Sequence, residues 1–181
     1  IKELIKDKVP ITHKLDIKIK GDKKKNFTNS LGLEISGLSK IFNDIKPDLT
    51  LVTGDRGEMF AATVSSAYMG IPIAHIQAGD VSGHIDGSAR HAITKLSHIH
   101  FASCSDSYNR VIKLGEEKWR VHNVGAPQLD DMLQNKKIPK KTIFNKYKLN
   151  LNEKLIIFIQ HPVLEEIDSS KFQIEESLSA I

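Results

Sequence analysis

Between His75 and His91 the sequence HIQAGDVSGHIDGSARH gathers His75, Gln77, Asp80, Ser82, His84, Asp86, Arg90 and His91. A surface loop needs polarity, but it seldom needs so many groups able to move protons or bind anions. A second cluster, Thr53, Gly54, Asp55, Arg56, Gly57 and Glu58, stands where a strand-like segment gives way to a helix-like one. Glycines on either side of the Asp55–Arg56 pair let backbone approach a ligand, and free N–H groups at a helix start favour an anion such as phosphate. Asp55 then reads as a base or as a group that orients one. The alternative is that Asp55 caps the helix and Arg56 pairs with a nearby acid.

In the first cluster, a helix starting near Asp86 would set Asp86 and Arg90 one turn apart on one face. Such a pair can hold a carboxylate in position or bind phosphate beside it; the alternative is an N-cap Asp86 with Arg90 as its helical ion-pair partner. Gln160, His161 and Pro162 form a third cluster, in which the proline ends a strand and leaves a group that titrates near neutral pH at its tip. His161 can donate a proton to a leaving phosphate or bind it, or it is an ordinary loop histidine. His98 and His100 alternate along a strand-like run without a third ligand, so structural roles are expected and no metal is assigned. No phosphate-binding loop or dinucleotide fingerprint occurs.

These clusters need elements to hold them. Apolar residues at helical spacing from Thr28 to Ile45, with Thr28 as N-cap, predict a helix ended by Pro47. LTLVT reads as a short buried strand and Glu58 to Met69 as a helix. IPIAHIQ then reads as a strand, Ala78 to Gly87 as a loop, Ser88 to Leu96 as a helix and HIHFAS as a strand. Asp106 to Leu114, WRVHNVG and Pro127 to Leu133 continue the alternation as helix, strand and helix. Alternation of this kind predicts an α/β, doubly wound parallel sheet, whose ligands bind beyond the carboxyl ends of the strands. The lysine-rich tract from Asn135 to Lys154 breaks the composition, after which LIIFIQHP predicts a new strand and Leu164 to Ile181 a helix. Two regions are therefore expected: 1–148, and 149–181 as the start of a second domain that one strand and one helix cannot complete.

Bulk properties restrict the function classes. With 181 residues and 40% hydrophobic content the chain can pack one well-formed domain. No apolar run approaches the roughly 20 residues of a membrane span, and IKELIKDKVP has no export-signal pattern, so a cytoplasmic location is expected. Cys104 is the only cysteine, which excludes an internal disulfide and a cysteine-based zinc cage. The net charge of +4 comes largely from GDKKKN and QNKKIPKK. Neither run interleaves aromatics with its lysines, so solvated loops are expected rather than nucleic-acid contacts.

The run from Pro47 to Leu96, above all GDRGE, HIQAGDVSGHID and SARHAITKLSH, resembles the hydrolysing branch of the UDP-N-acetylglucosamine 2-epimerase family, and NVGAPQLD and QHPV resemble further family segments. The resemblance implies a glycosyltransferase-B-like fold, two Rossmann-type domains with a UDP-sugar in the cleft. It implies no cofactor, a UDP-sugar as partner, and a homodimer or tetramer. The implied reaction eliminates UDP from the sugar to give a glycal and adds water to release an N-acetylmannosamine-type sugar, as sialic-acid-type pathways use. Asp55 and Asp86 match the family's catalytic carboxylates, Arg90 an arginine near the ligand and His161 the histidine across the cleft. Arg56, Glu58, Asp80, Ser82, His84 and His91 join Arg90 as substrate-binding candidates. Gln77 stands where relatives place a catalytic glutamate, and an amide cannot exchange a proton at neutral pH. Asp80 or Asp86 then takes over that role, or the substrate differs, as in a UDP-diamino sugar of the bacillosamine type, or the protein is impaired. A glycosyltransferase of the same architecture and a non-catalytic UDP-sugar-binding protein are the rival readings.

Overall fold

A computed structural model describes residues 2–17, 24–134 and 137–181. The chain forms two compact units, residues 1–126 and 127–181.

In the first unit, a short helix α1 (Lys2–Lys6) and an irregular segment precede helix α2 (Lys24–Ile45). α2 is already helical four residues before Thr28, so Thr28 lies inside the helix instead of capping it. Lysine has good helix propensity, and Lys25 is exposed in the first turn, where a lysine is as well solvated as in a loop. The rest of GDKKKN lies outside the described residues. Gly37 of α2 meets the side chain of Leu15, whose tip would have to shift to admit a Cβ there.

Then come β1 (Thr50–Thr53), α3 (Gly57–Tyr68), β2 (Ile73–Ile76), α4 (Ile85–Leu96), β3 (Ile99–Ala102), α5 (Ser105–Lys113) and β4 (Val121–Asn123), the last preceded by a 3-10 turn at Lys118–Arg120. The four strands are parallel in the order β1-β2-β3-β4. This is the expected α/β alternation. The register places Val52, His75, His100 and Val121 in one row across the sheet. Each is at most 4% exposed, which marks the face that the helices cover. Successive right-handed crossovers in one direction put their helices on that same face. Val52 and Ile73 pack there with Ile93 of α4, and Met59 and Phe60 of α3 close over them. Val121 packs with Val111 of α5 and Ala78. A fully buried aliphatic side chain stabilises by about 1.5–3 kcal/mol, so these small clusters fix the order of the layers. Two hydroxyl bonds pin α3: Ser66 Oγ donates to Thr50 Oγ1 at 2.8 Å, and Ser65 Oγ to the Ile35 carbonyl at 3.2 Å.

α4 begins at Ile85, three residues before the expected start at Ser88. Gly87 reads as a loop residue in sequence, yet it lies within the first helical turn, where the Ser82 carbonyl approaches so closely that a Cβ would stand 2.6 Å from it and only glycine fits.

The second unit holds α6 (Gln128–Gln134), α7 (Lys140–Lys146), a 3-10 stretch (Leu164–Ser169) and α8 (Ser170–Ser179). QNKKIPKK is thus helical at both ends, with Asn135 and Lys136 outside the described residues. The strand expected at LIIFIQHP does not form: Leu155 to Ile159 are irregular, and Ile156, Ile157 and Ile159 are at least 70% exposed. A lone strand leaves its N–H and C=O groups unpaired, and no strand is present among the described residues of this unit to receive it. Among the described residues no helix is long and apolar enough to cross a membrane.

Candidate functional site

The carboxyl ends of β1, β2 and β3 each run into a short loop and then a helix, so α3, α4 and α5 all start on one edge of the sheet. Their N-cap residues are Arg56, His84 and Cys104, and none makes a side-chain capping bond. Three helix starts gathered on one edge give it a positive bias suited to an anionic ligand.

Arg90, on α4, is the centre of the site. Its side chain is 10% exposed and is paired with Asp55, whose own side chain is 14% exposed. Ser82 Oγ donates to the same Asp55 oxygen at 3.1 Å, and Arg90 Nη2 also reaches Ser82 Oγ at 3.3 Å. On the other side, Arg90 Nη1 stands 3.4 Å from Asp80 Oδ2 and donates to the Gln77 carbonyl at 3.4 Å. One guanidinium thus holds two carboxylates and the loop backbone after β2. Asp80 is fixed further by Ser103 Oγ and, at 2.6 Å, by Ser107 Oγ, both donating to Oδ1. Arg110 donates to the Gly79 carbonyl. Gly79 has φ +79° and lies against the Ser107 carbonyl, where no Cβ fits, so only glycine allows the loop to fold down onto α5.

Gln77 has φ +64°, a left-handed conformation at the strand end that few side chains adopt. Its Oε1 lies over the Asp55 turn, 3.3 Å from where a Cβ on Gly54 would stand, and Gly54 itself has φ +79°. Backbone held this way at a loop rich in functional groups aims a side chain that a relaxed strand end would point elsewhere.

Two expected pairings are corrected. Arg90 does not pair with Asp86 one turn earlier; Asp86 Oδ2 instead lies 3.4 Å from His84 Nε2 on the exposed rim, while Arg90 turns inward to Asp55 and Asp80. The inward position wins because two carboxylates and two loop oxygens engage both terminal nitrogens of the guanidinium, more than one exposed acid would, while Nε is left without a partner among the described residues. Asp55 does not cap α3. Arg56 pairs with Glu58 in a two-pronged contact at 3.1 and 3.2 Å, largely in solvent, as in the local alternative. This guanidinium holds the Glu58 carboxyl below its usual value.

His91 is half-buried, and its Nδ1 is buried without a hydrogen-bond partner. Burial first, then the nearby Arg110 and Arg90, push its pKa down. His75 is fully buried beneath the loops rather than on them. His98 precedes β3 and accepts from the Ile73 N–H at 3.2 Å. His100 is fully buried 3.2 Å from Glu116, which also binds Lys95 at 2.5 Å and Arg120 at 3.0 Å. Among the described residues no group of three or more His, Cys, Asp or Glu is placed to hold a metal ion.

The structure therefore brings together Asp55, Gln77, Asp80, Ser82 and Arg90, and sets His84, Asp86, Arg56 and Glu58 on the adjoining loops and helix starts. His161 lies in the second unit, exposed. Sequence reasoning missed Ser103, Ser107 and Thr94. The signal for the first two was present: SCSDS follows β3 as GDRGE follows β1 and HIQAGD follows β2, at the same strand-to-helix junction.

The sequence profile of the family described as UDP-N-acetylglucosamine 2-epimerase matches residues 1–181. The UDP-N,N'-diacetylbacillosamine 2-epimerase (hydrolyzing) of Legionella pneumophila is 33% identical over 99% of this chain and 48% of its own length. The GDP/UDP-N,N'-diacetylbacillosamine 2-epimerase (hydrolyzing) of Campylobacter jejuni is 32% identical over 98% of this chain and 46% of its own. The crystal structure of the Neisseria meningitidis UDP-GlcNAc 2-epimerase bound to UDP-GlcNAc superposes with a TM-score of 0.60 at 28% identity, over 66% of this chain and 33% of that one. The chain spans about half the length of these curated relatives, and its parallel sheet is one part of a glycosyltransferase-B-like architecture. A match along the whole of the sequence, together with a fold that carries its polar loops on one sheet edge, shows that this chain belongs to the UDP-N-acetylglucosamine 2-epimerase family.

Proposed function

We propose that this chain supplies the sugar-facing wall of a hydrolysing UDP-sugar 2-epimerase, which eliminates UDP to a glycal and hydrates it to a free 2-epimeric sugar. The observation that carries the proposal is the Arg90-centred cluster, in which Asp55 and Asp80 are held by one guanidinium under three helix starts. Removing a barely acidic hydrogen from the sugar's second carbon needs a positioned base, and the oriented Asp55 carboxylate is that base in this reading. The leaving diphosphate needs positive potential, which the helix starts supply. Gln77, without an exchangeable proton, binds substrate through its amide, and Asp86 on the rim serves the second half-reaction with His84 beside it. Asp80, already bonded to two serines and facing Arg90, orients the cluster.

For the substrate, a UDP-N,N'-diacetylbacillosamine-type sugar is favoured over UDP-N-acetylglucosamine by the two relatives that match nearly the whole chain. A neutral Gln77 beside Asp55 also suits an uncharged acylamino substituent better than a third carboxylate would, because its amide both donates and accepts and adds no charge. In the full-length protein incubated with either sugar nucleotide in heavy water, UDP release with deuterium at the second sugar carbon is expected without any acceptor sugar. UDP release only when an acceptor is supplied would instead identify a glycosyltransferase, and tight binding without product a non-catalytic binder. The proposal includes self-association as a dimer or tetramer, which sedimentation of the same protein checks.

A further inference from the structure

We infer that His75 is a positioning residue of this site: its imidazole clamps the Gly54 carbonyl to Thr94 and so sets Asp55 against Arg90 without touching substrate. His75 is the third residue of β2 and is fully buried in the row of side chains that the helices cover. Its Nε2 lies 2.8 Å from the Gly54 carbonyl oxygen, and its Nδ1 lies 3.1 Å from Thr94 Oγ1. A carbonyl only accepts, so the hydrogen sits on Nε2 and donates to Gly54. Burial lowers the pKa of His75 to about 4, which keeps the ring neutral and leaves Nδ1 to accept from the Thr94 hydroxyl.

The two ends of this clamp are the two halves of the site. Gly54 immediately precedes Asp55, and its N–H donates to the Ile76 carbonyl at 3.0 Å, so both its N–H and its C=O are fastened to β2. Thr94 sits one turn after Arg90 on α4; its hydroxyl also lies 3.0 Å from the Arg90 carbonyl, and its single hydrogen is shared between that carbonyl and Nδ1. An ion pair whose members are 35 residues apart is thereby tied to one rigid, flat side chain, at the Gly54 backbone on one side and through the Thr94 hydroxyl of α4 on the other. The charged or titratable groups that act on the ring are His100 beside it on β3, and Arg90 and Asp55 beyond its two bonds. A phenylalanine keeps the volume and loses both bonds; a glutamine keeps a donor toward Gly54. Positioning errors on the scale of an ångström cost catalysis about a hundredfold while leaving binding largely intact.

The activity arm of the test rests on the proposed reaction, whereas the spectroscopic arm does not. In the full-length protein at pH 7, a long-range proton–nitrogen correlation spectrum should show His75 as the neutral Nε2–H tautomer; an imidazolium or an Nδ1–H tautomer would overturn the inference. His75→Phe should lower kcat about a hundredfold with KM for the UDP-sugar within about threefold, and His75→Gln should recover about tenfold of the loss. Wild-type kcat in His75→Phe, or a His75→Gln as slow as His75→Phe at wild-type thermal stability, would overturn it as well. If His75→Phe does not fold, the glutamine variant and the wild-type spectrum still decide. A wild-type protein that turns over neither sugar nucleotide would sink the proposed reaction, and the spectrum would then judge the clamp by itself.

Discussion

Replacing Arg90 with methionine removes the charge at the centre of the site while keeping most of the side-chain volume. The guanidinium is 10% exposed and lies between Asp55, 14% exposed, and Asp80, 26% exposed. Without it, two carboxylates face each other across a partly dry loop cluster, and the Gln77 carbonyl and Ser82 hydroxyl lose a donor. Stripping one partner from a buried ion pair costs about 3–5 kcal/mol. Asp80 keeps its two serine donors and both acids retain some water, so the lower end applies, about 3 kcal/mol. Equilibrium urea unfolding of the full-length protein, followed by far-UV circular dichroism, measures it. The Asp55→Asn variant and the double variant complete a cycle, in which the coupling between the two positions should be at least about 1 kcal/mol. A loss below about 1 kcal/mol in Arg90→Met, or additivity of the two changes within about 0.5 kcal/mol, would refute the central role given to this ion pair.

The other predictions concern strain, protonation and chemistry. Gln77→Gly should leave stability within about 1 kcal/mol, because glycine relieves a left-handed conformation about as much as it loosens the unfolded chain, and should still lower UDP release; a loss of several kcal/mol would show that the backbone there is not strained. Gln77→Glu should reduce turnover with a diamino sugar nucleotide, since it adds a third acid beside Asp55 and Asp80; a large gain would mark the glutamine as a lesion. His75 is neutral when folded and its pKa is lowered to about 4, so the folded state binds fewer protons than the unfolded one between that value and about 6.5. Its contribution is present above about pH 6.5 and lost as pH falls toward 4; His75→Gln should therefore flatten the decline of unfolding free energy across that window by up to about 1.4 kcal/mol per pH unit, and an unchanged slope would contradict the assignment. Glu116 is nearly buried and bonded to Lys95, His100 and Arg120, which together hold its carboxyl below the usual value against the opposing effect of burial. Glu116→Gln should cost about 3 kcal/mol in urea unfolding, with UDP-sugar turnover retained in the folded fraction.

Much of this fold was legible in the chain because its signals are local. Short β-rich runs such as LTLVT and IAHI, separated by helical periodicity and glycine-marked turns, carry their own assignment, and parallel alternation places every following loop on one edge. That is why the polar clusters around Asp55 and Gln77 are legible in the sequence as neighbours on that edge. Short-range chemistry was legible too, since Arg56 and Glu58 are two residues apart and pair in solvent. What the sequence did not contain is register. Only the alignment of β1 with β2, and the seating of α4 over them, decides that Arg90 reaches Asp55 across 35 residues and leaves Asp86, four residues away, to His84. The same packing buries His75, read as a polar residue near a strand end, between the Gly54 carbonyl and the Thr94 hydroxyl, and joins His100 to Glu116. It also decides LIIFI, whose composition suits a strand but whose backbone finds no partner among the described residues of its unit. Local pattern fixes what each segment can become; hydrogen-bond and charge satisfaction between distant segments decides which side chains meet.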